Sequence, residues 1–146
     1  MLFELNEEHL MIQRAARDFA QTECLPGVIE RDEKQKFPRE QILKLADLGF
    51  LGMMVRPEYG GAGMDTVSYV VAMEEISKID ASVSVCMSVN NSLVCYGLQE
   101  FGTEEQKQKY LPRVARQEIS AFALTESQAG SDPATMSLRA DRKSVV

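Results

Sequence analysis

Ala81-Ser82-Val83-Ser84-Val85-Cys86-Met87-Ser88-Val89-Asn90-Asn91-Ser92-Leu93-Val94-Cys95-Tyr96-Gly97-Leu98-Gln99 runs nineteen residues without a charge. Its six serines and asparagines make it too polar to span a bilayer alone, so it reads as a helix buried inside a soluble protein. Asp80 or Ser82 can cap its start, and Gly102 ends it after Phe101. Downstream, Thr103-Glu104-Glu105-Gln106 is a capping box that opens a further helix, restarted near Pro112 and ending around Gln117. Upstream, Asp65 can cap a helix through Val67, Val70, Val71, Met73, Ile76 and Ile79.

The N-terminal part follows the same logic. Asn6 caps a first helix that carries Glu7 and Glu8 at its positive end, Ile12, Ala15, Ala16 and Phe19 at helical spacing, and runs to about Cys24. Pro26-Gly27 breaks it, a charged stretch from Glu30 to Lys36 follows, and Pro38 opens a second helix that ends at Gly49. Arg56 to Gly63 is a glycine-rich loop matching neither GxGxxG nor the P-loop, so its glycines serve turns before phosphate. Five amphipathic stretches with short connections predict an antiparallel helical bundle over residues 1–117. After Glu118, Ile119 to Leu124 reads as a short strand and Met136 to Ala140 as a second. The fold class is mainly α: a helical domain over 1–117, then the first strands of an incomplete β domain over 118–146.

Charge and composition exclude several functions. The net charge of −6 is spread as −3 over residues 1–48, −3 over 49–118 and zero beyond, so no basic patch exists for nucleic acid or acidic lipid. Cys24, Cys86 and Cys95 are too few and too scattered for a disulfide framework, and with His9 the one histidine there is no metal site or triad. A reducing compartment is expected. The N-terminus resembles neither a secretory signal nor a transit peptide, which points to the cytoplasm, or to the mitochondrial matrix only if a transit peptide was removed. His9 is read as surface or packing, Glu74 and Glu75 as a solvated edge, the internal methionines as core filler, and Asn90 and Asn91 as amides bonding neighbouring helices.

The best candidate for chemistry is Leu124-Thr125-Glu126-Ser127-Gln128-Ala129-Gly130-Ser131-Asp132, a strand end running into a small-residue loop. Its backbone and hydroxyls suit ligand binding, and a polar inter-domain turn is the competing reading. This stretch resembles the first signature of the acyl-CoA dehydrogenases, flavoenzymes that desaturate acyl-CoA thioesters. Pro57-Glu58-Tyr59-Gly60-Gly61, Met73-Glu74-Glu75-Ile76-Ser77 with Ser88-Val89-Asn90-Asn91-Ser92-Leu93, and Phe101-Gly102-Thr103-Glu104-Glu105-Gln106-Lys107 are similar to further family blocks, in the family's order. The Ser88–Leu93 version looks most like the short-chain, butyryl-type branch.

The resemblance implies FAD as cofactor, an acyl-CoA substrate, electron-transferring flavoprotein as partner and a homotetramer. It places Phe122, Leu124 and Thr125 against the flavin ring, Gly130 and Ser131 near the FAD pyrophosphate, and Ser131 also near the CoA portion. Val89 and Leu93 would belong to an apolar wall for the acyl chain. It also implies that the catalytic glutamate, further FAD contacts and the tetramer core come from domains beyond residue 146, so no catalytic residue is assigned here. Ser127-Gln128 and Thr135 depart from the small residues usual at those places. The tail Asp141 to Val146 does not lead into the strand and Asn-Gly turn implied next, so a truncated or frame-shifted, inactive product is expected. Competing readings are a non-enzymatic helical module that holds no flavin, and a related flavin oxidase or carrier-protein-linked enzyme.

Overall fold

Four side chains fix where the long helices begin. In the computed structural model, which describes residues 4–139, Asn6 Oδ1 accepts from the His9 amide at 2.8 Å and His9 Nδ1 takes the Asn6 amide in return at 3.4 Å. Because Nδ1 accepts, the ring proton is assigned to Nε2, which donates to Asp65 Oδ2 at 3.0 Å. Asp65 Oδ1 meanwhile caps the next long helix through the Ser68 amide at 2.8 Å. The Ser68 amide, followed by the His9 ring, holds the Asp65 carboxyl down at about 2. Asp80 caps the amides of Ser82 and Val83, and Thr103 and Gln106 form the capping box read from the sequence.

The helices are α1 (Glu7–Phe19, continued by a π-helical turn Ala20–Cys24), α2 (Val28–Glu33), α3 (Arg39–Asp47), α4 (Thr66–Ser77), α5 (Ala81–Ser88), α6 (Tyr96–Phe101) and α7 (Glu104–Val114). A π-helical segment, Val89–Cys95, joins α5 to α6 without a break. Ala16, Phe19, Ile42, Leu45, Leu51, Met53, Ile76, Val83 and Met87 form the main core, and Val55, Tyr59, Cys95, Leu111 and Val114 a second one under α7. The glycine loop is a turn. Gly60 sits at φ 82°, and a Cβ on Gly61 would lie 2.1 Å from the Val55 carbonyl oxygen.

Asn90 and Asn91 lock the two cores together. Asn91 Nδ2 donates to Phe50 O at 2.8 Å and Oδ1 accepts from the Met53 amide at 2.9 Å, while Asn90 Nδ2 donates to Leu51 O at 2.7 Å and Val114 O at 3.0 Å. Both side chains are buried. In an α-helix adjacent residues diverge by about 100°, and the wider π turn helps both amides face inward.

The structure differs from the sequence reading in several places. Val28–Glu33, which takes in the first half of the charged stretch, is helical, and its end is closed by Gln35 at φ 51°, with its amide on Asp32 O and the Lys36 amide on Arg31 O, a glycine-type cap made by a glutamine. The helix beginning at Glu104 runs through Pro112 without restarting, since only one carbonyl bond in its last turns is lost. α4 and α5 are antiparallel, but α1 and α4 run in the same direction, His9 meeting Asp65 and Arg17 meeting Glu75, because α2 and α3 carry the chain back between them. Glu75 is no solvated edge: it is 3% exposed and bound by Arg17 at 3.0 Å, Gln13 and Lys78. Residues 119–125 form no ladder, and the one β pairing among the described residues is the isolated bridge between Glu126 and Ala129. A strand without a partner has nothing to fix it. Residue 140 and the tail 141–146 lie outside the described residues.

Three measurements test this account. The Arg17 guanidinium, outweighing burial, brings the Glu75 carboxyl from 4.5 down to about 2, so its contribution is present above pH 4.5 and fades as pH falls toward 2. Urea unfolding across pH 2–6 therefore shows a steep acid loss that Glu75→Gln flattens. Gln35→Gly relieves the left-handed backbone and raises the thermal midpoint by a gain of about 0.5–1 kcal/mol. Asn91→Ala strands the Met53 amide and Phe50 carbonyl and costs on the order of 2–4 kcal/mol by denaturant titration.

Candidate functional site

The outward face of the α4–α5 pair is apolar although it meets solvent. Val67 and Val70 of α4 and Val85 and Leu93 of the α5 helix run are 41–58% exposed, and Val89 between the latter two is half-buried. On the opposite face Val83, Met87, Asn91 and Cys95 fill the core. The spacing of four between Val85, Val89 and Leu93 keeps them on one side because the asparagines hold the other side inward.

The seam between α4 and α5 is polar. Tyr69 Oη donates to Ser88 Oγ at 3.0 Å, the Ser77 and Ser84 hydroxyls meet at 2.6 Å, and Ser92 Oγ donates to Ser88 O at 2.7 Å. No sequence motif announces the two pairs that cross the seam, because their partners lie on separate helices.

The second candidate element is the irregular run into the signature loop. Phe122 and Leu124 are about half exposed, and among the described residues the backbone N–H and C=O groups of 119–125 make no hydrogen bond within the chain. Glu126 organises the loop beyond that run: its carboxylate accepts from the Ser137 and Leu138 amides at 2.9 Å each, from Ser137 Oγ and from Gln128 Nε2. The Ser137 amide leads in holding the Glu126 carboxyl below its usual range. The departures at Gln128 and Thr135 have a visible use, since Gln128 Nε2 is one of those donors to Glu126 and Thr135 Oγ1 donates to the Gln128 carbonyl at 3.0 Å and to the Asp132 carbonyl at 3.1 Å. Gly130 faces open space, with nothing within 4 Å of an added Cβ, and Ser131 is exposed. Leu124, Thr125, Gly130 and Ser131 thus share one loop, while Val89 and Leu93 lie on the helical face and no hydrogen bond joins the two sets among the described residues.

A cavity of about 560 Å³ opens elsewhere, between α2 and the α4–α5 corner, lined by Ile29, Phe37 and the Arg31–Asp80 ion pair. None of the residues singled out from the sequence as binding sites lines it. Burial pushes the Cys24 and Cys95 thiols up to about 12, so both stay protonated. Among the described residues no helix is long and apolar enough to cross a membrane.

The family model described as "Acyl-CoA dehydrogenase, N-terminal domain" matches residues 6–118. The chain is 44% identical over 146 residues to the mitochondrial short-chain specific acyl-CoA dehydrogenase of Bos taurus, covering 98% of this chain and 35% of that protein. Among solved structures, butyryl-CoA dehydrogenase from Megasphaera elsdenii superposes with a TM-score of 0.87 at 37% identity, over 92% of this chain and 36% of that one. A glutaryl-CoA dehydrogenase from Mycobacterium smegmatis in complex with FADH2 gives 0.85 at 36%, over 90% and 34%. The chain spans about a third of the length of the curated relatives it matches. Fold, matched residues and identity together make this chain a member of the acyl-CoA dehydrogenase family, corresponding to that family's N-terminal helical domain.

Proposed function

We propose that this chain supplies the helical substrate wall and one flavin-facing edge of a FAD-dependent acyl-CoA dehydrogenase that desaturates a short-chain acyl-CoA thioester. The observation that carries this reading is the identity along 98% of the chain to a short-chain specific acyl-CoA dehydrogenase. Val89 and Leu93, with Val85, would line the acyl chain; their exposure on a helix otherwise committed to the core supports that use. Backbone groups at Phe122, Leu124 and Thr125, with the Thr125 hydroxyl, would bond the flavin edge, and Gly130 and Ser131 would meet the pyrophosphate and, for Ser131, the CoA portion. The fit is favourable, because that run carries backbone donors and acceptors left unused among the described residues, and the nearby Glu126 charge is taken up by its own loop.

FAD, when bound, supplies the acceptor for the hydride leaving the β-carbon, and electron-transferring flavoprotein would take the electrons onward. The α-proton needs a carboxylate base. Glu75 and Asp65 are held at about 2 by their partners, and Glu126 is held low by the Ser137 amide, the wrong direction for such a base. The base, and the core of a homotetramer, would come from the two thirds of the relatives that this chain does not span. Three free cysteines support a reducing compartment: the cytoplasm, or the mitochondrial matrix for a chain that has lost a transit peptide.

The test combines two measurements on the purified chain. FAD titrated into a labelled sample shifts the amides of Leu124, Thr125, Gly130 and Ser131; unmoved amides would favour the non-enzymatic helical module. With FAD, butyryl-CoA and a dye acceptor, dye reduction stays at the no-protein rate. Turnover above that rate would overturn the assignment of the base to other domains.

A further inference from the structure

We infer that Glu126 is a positioning residue: by clamping the two limbs of the signature loop together, its carboxylate holds the backbone of Gly130 and Ser131 in the path that receives the FAD pyrophosphate. The inference rests on the reading of that loop as part of a flavin site. One limb is the turn 126–129, closed by two backbone bonds, the Glu126 amide to Ala129 O at 3.0 Å and the Ala129 amide to Glu126 O at 3.1 Å. The other runs from Asp132, whose Oδ1 caps the short helical turn Pro133–Thr135 through the Ala134 amide at 3.0 Å, to Leu138. Gly130 and Ser131 join the limbs and make no hydrogen bond of their own among the described residues. Their path therefore depends on how the limbs are tied. Glu126 supplies two ties, Oε2 accepting from the Ser137 amide and Oε1 from the Leu138 amide at 2.9 Å each, and the Thr135 hydroxyl adds a third on the Gln128 carbonyl at 3.0 Å.

A carboxylate suits this task because both of its oxygens only accept. Each amide takes its own oxygen, and Gln128 Nε2 and the Ser137 hydroxyl also donate to Oε2. A glutamine at the same place has one acceptor oxygen and an NH2 that faces the remaining amide, donor against donor, so one tie must break. The negative charge is spent on these four donors inside the loop, which makes a carboxylate tolerable close to an anionic ligand. Gly130 and Ser131 meanwhile keep their backbone amides and the Ser131 hydroxyl as free donors at an exposed turn.

The experiment is an amide NMR titration of the full chain with FAD and with riboflavin, which carries the ring and no phosphate, repeated for Glu126→Gln. In the ligand-free variant the Ser137 and Leu138 amide signals move while those of Met53 and Val83 in the core stay, so only the loop has opened. In the unaltered chain FAD shifts the amides of Leu124, Thr125, Gly130 and Ser131, and riboflavin shifts Leu124 and Thr125. Glu126→Gln weakens FAD about tenfold and riboflavin less than about twofold, the loss of one charge-assisted bond on the pyrophosphate side alone. The sign is diagnostic, because removing a negative charge beside an anionic ligand would by electrostatics tighten it. Unmoved Ser137 and Leu138 signals in the variant, or a FAD loss no greater than the riboflavin loss, overturn the inference while leaving the flavin site standing. Failure of either flavin to shift Leu124 and Thr125 in the unaltered chain overturns the flavin reading and the inference together.

Discussion

Two adjacent amides, Asn90 and Asn91, hold this molecule in register. Between them they bind three backbone carbonyls and one amide on segments far apart in the chain: Phe50, Leu51 and Met53 after α3, and Val114 at the end of α7. Those backbone groups lie where helices end and loops cross, and unpaired they would be costly to bury. The asparagines thus act as the hydrogen-bonding surface that irregular backbone lacks, and this lets the Phe50–Met53 turn sit inside the core. Once they point inward, the opposite side of the same helix run must point outward, and the exposed valines result from that constraint.

Electrostatics ties the helices at a second level. Glu75 on α4 is buried against Arg17 and Gln13 of α1, and Asp65 at the start of α4 meets His9 at the start of α1. Two helices running in the same direction place their positive ends side by side, an arrangement that the Asp65 carboxylate offsets from between them. Arg31 has a similar role near α5, bonding Asp80 and the carbonyls of Cys24 and Pro26. Glu75 and Arg31 are buried or largely buried charges with several partners, and Asp65, though exposed, holds two, so the pairs fix orientation as much as they stabilise.

The same molecule leaves two surfaces unfinished: the apolar α4–α5 face and the irregular run before the signature loop. Both are the places at which the proposed function locates substrate and cofactor, and both fit the fact that the chain spans a third of its relatives. Glu126 shows how such a surface is kept ready. By satisfying the Ser137 and Leu138 amides it closes the loop on itself, while the backbone of residues 119–125 has no hydrogen-bond partner among the described residues.

Local sequence determined what depends on nearest neighbours. The caps at Asn6, Asp65, Asp80 and Thr103, the stop at Gly49, the turn at Gly60-Gly61 and the long uncharged helix all arise from residues within four positions of one another. The signature residues 124–132 and the family blocks were equally legible, being contiguous. Tertiary structure decided what depends on distant partners: that Glu75 is buried, that α1 and α4 run the same way, that Tyr69 meets Ser88, and that residues 119–125 find no ladder partner among the described residues. A side chain's fate in those cases is set by what lies across from it, and periodicity carries no information about the identity of a partner fifty residues away. Even Asn90 and Asn91, read correctly as buried amides, acquired their meaning only when the fold supplied the carbonyls they bind.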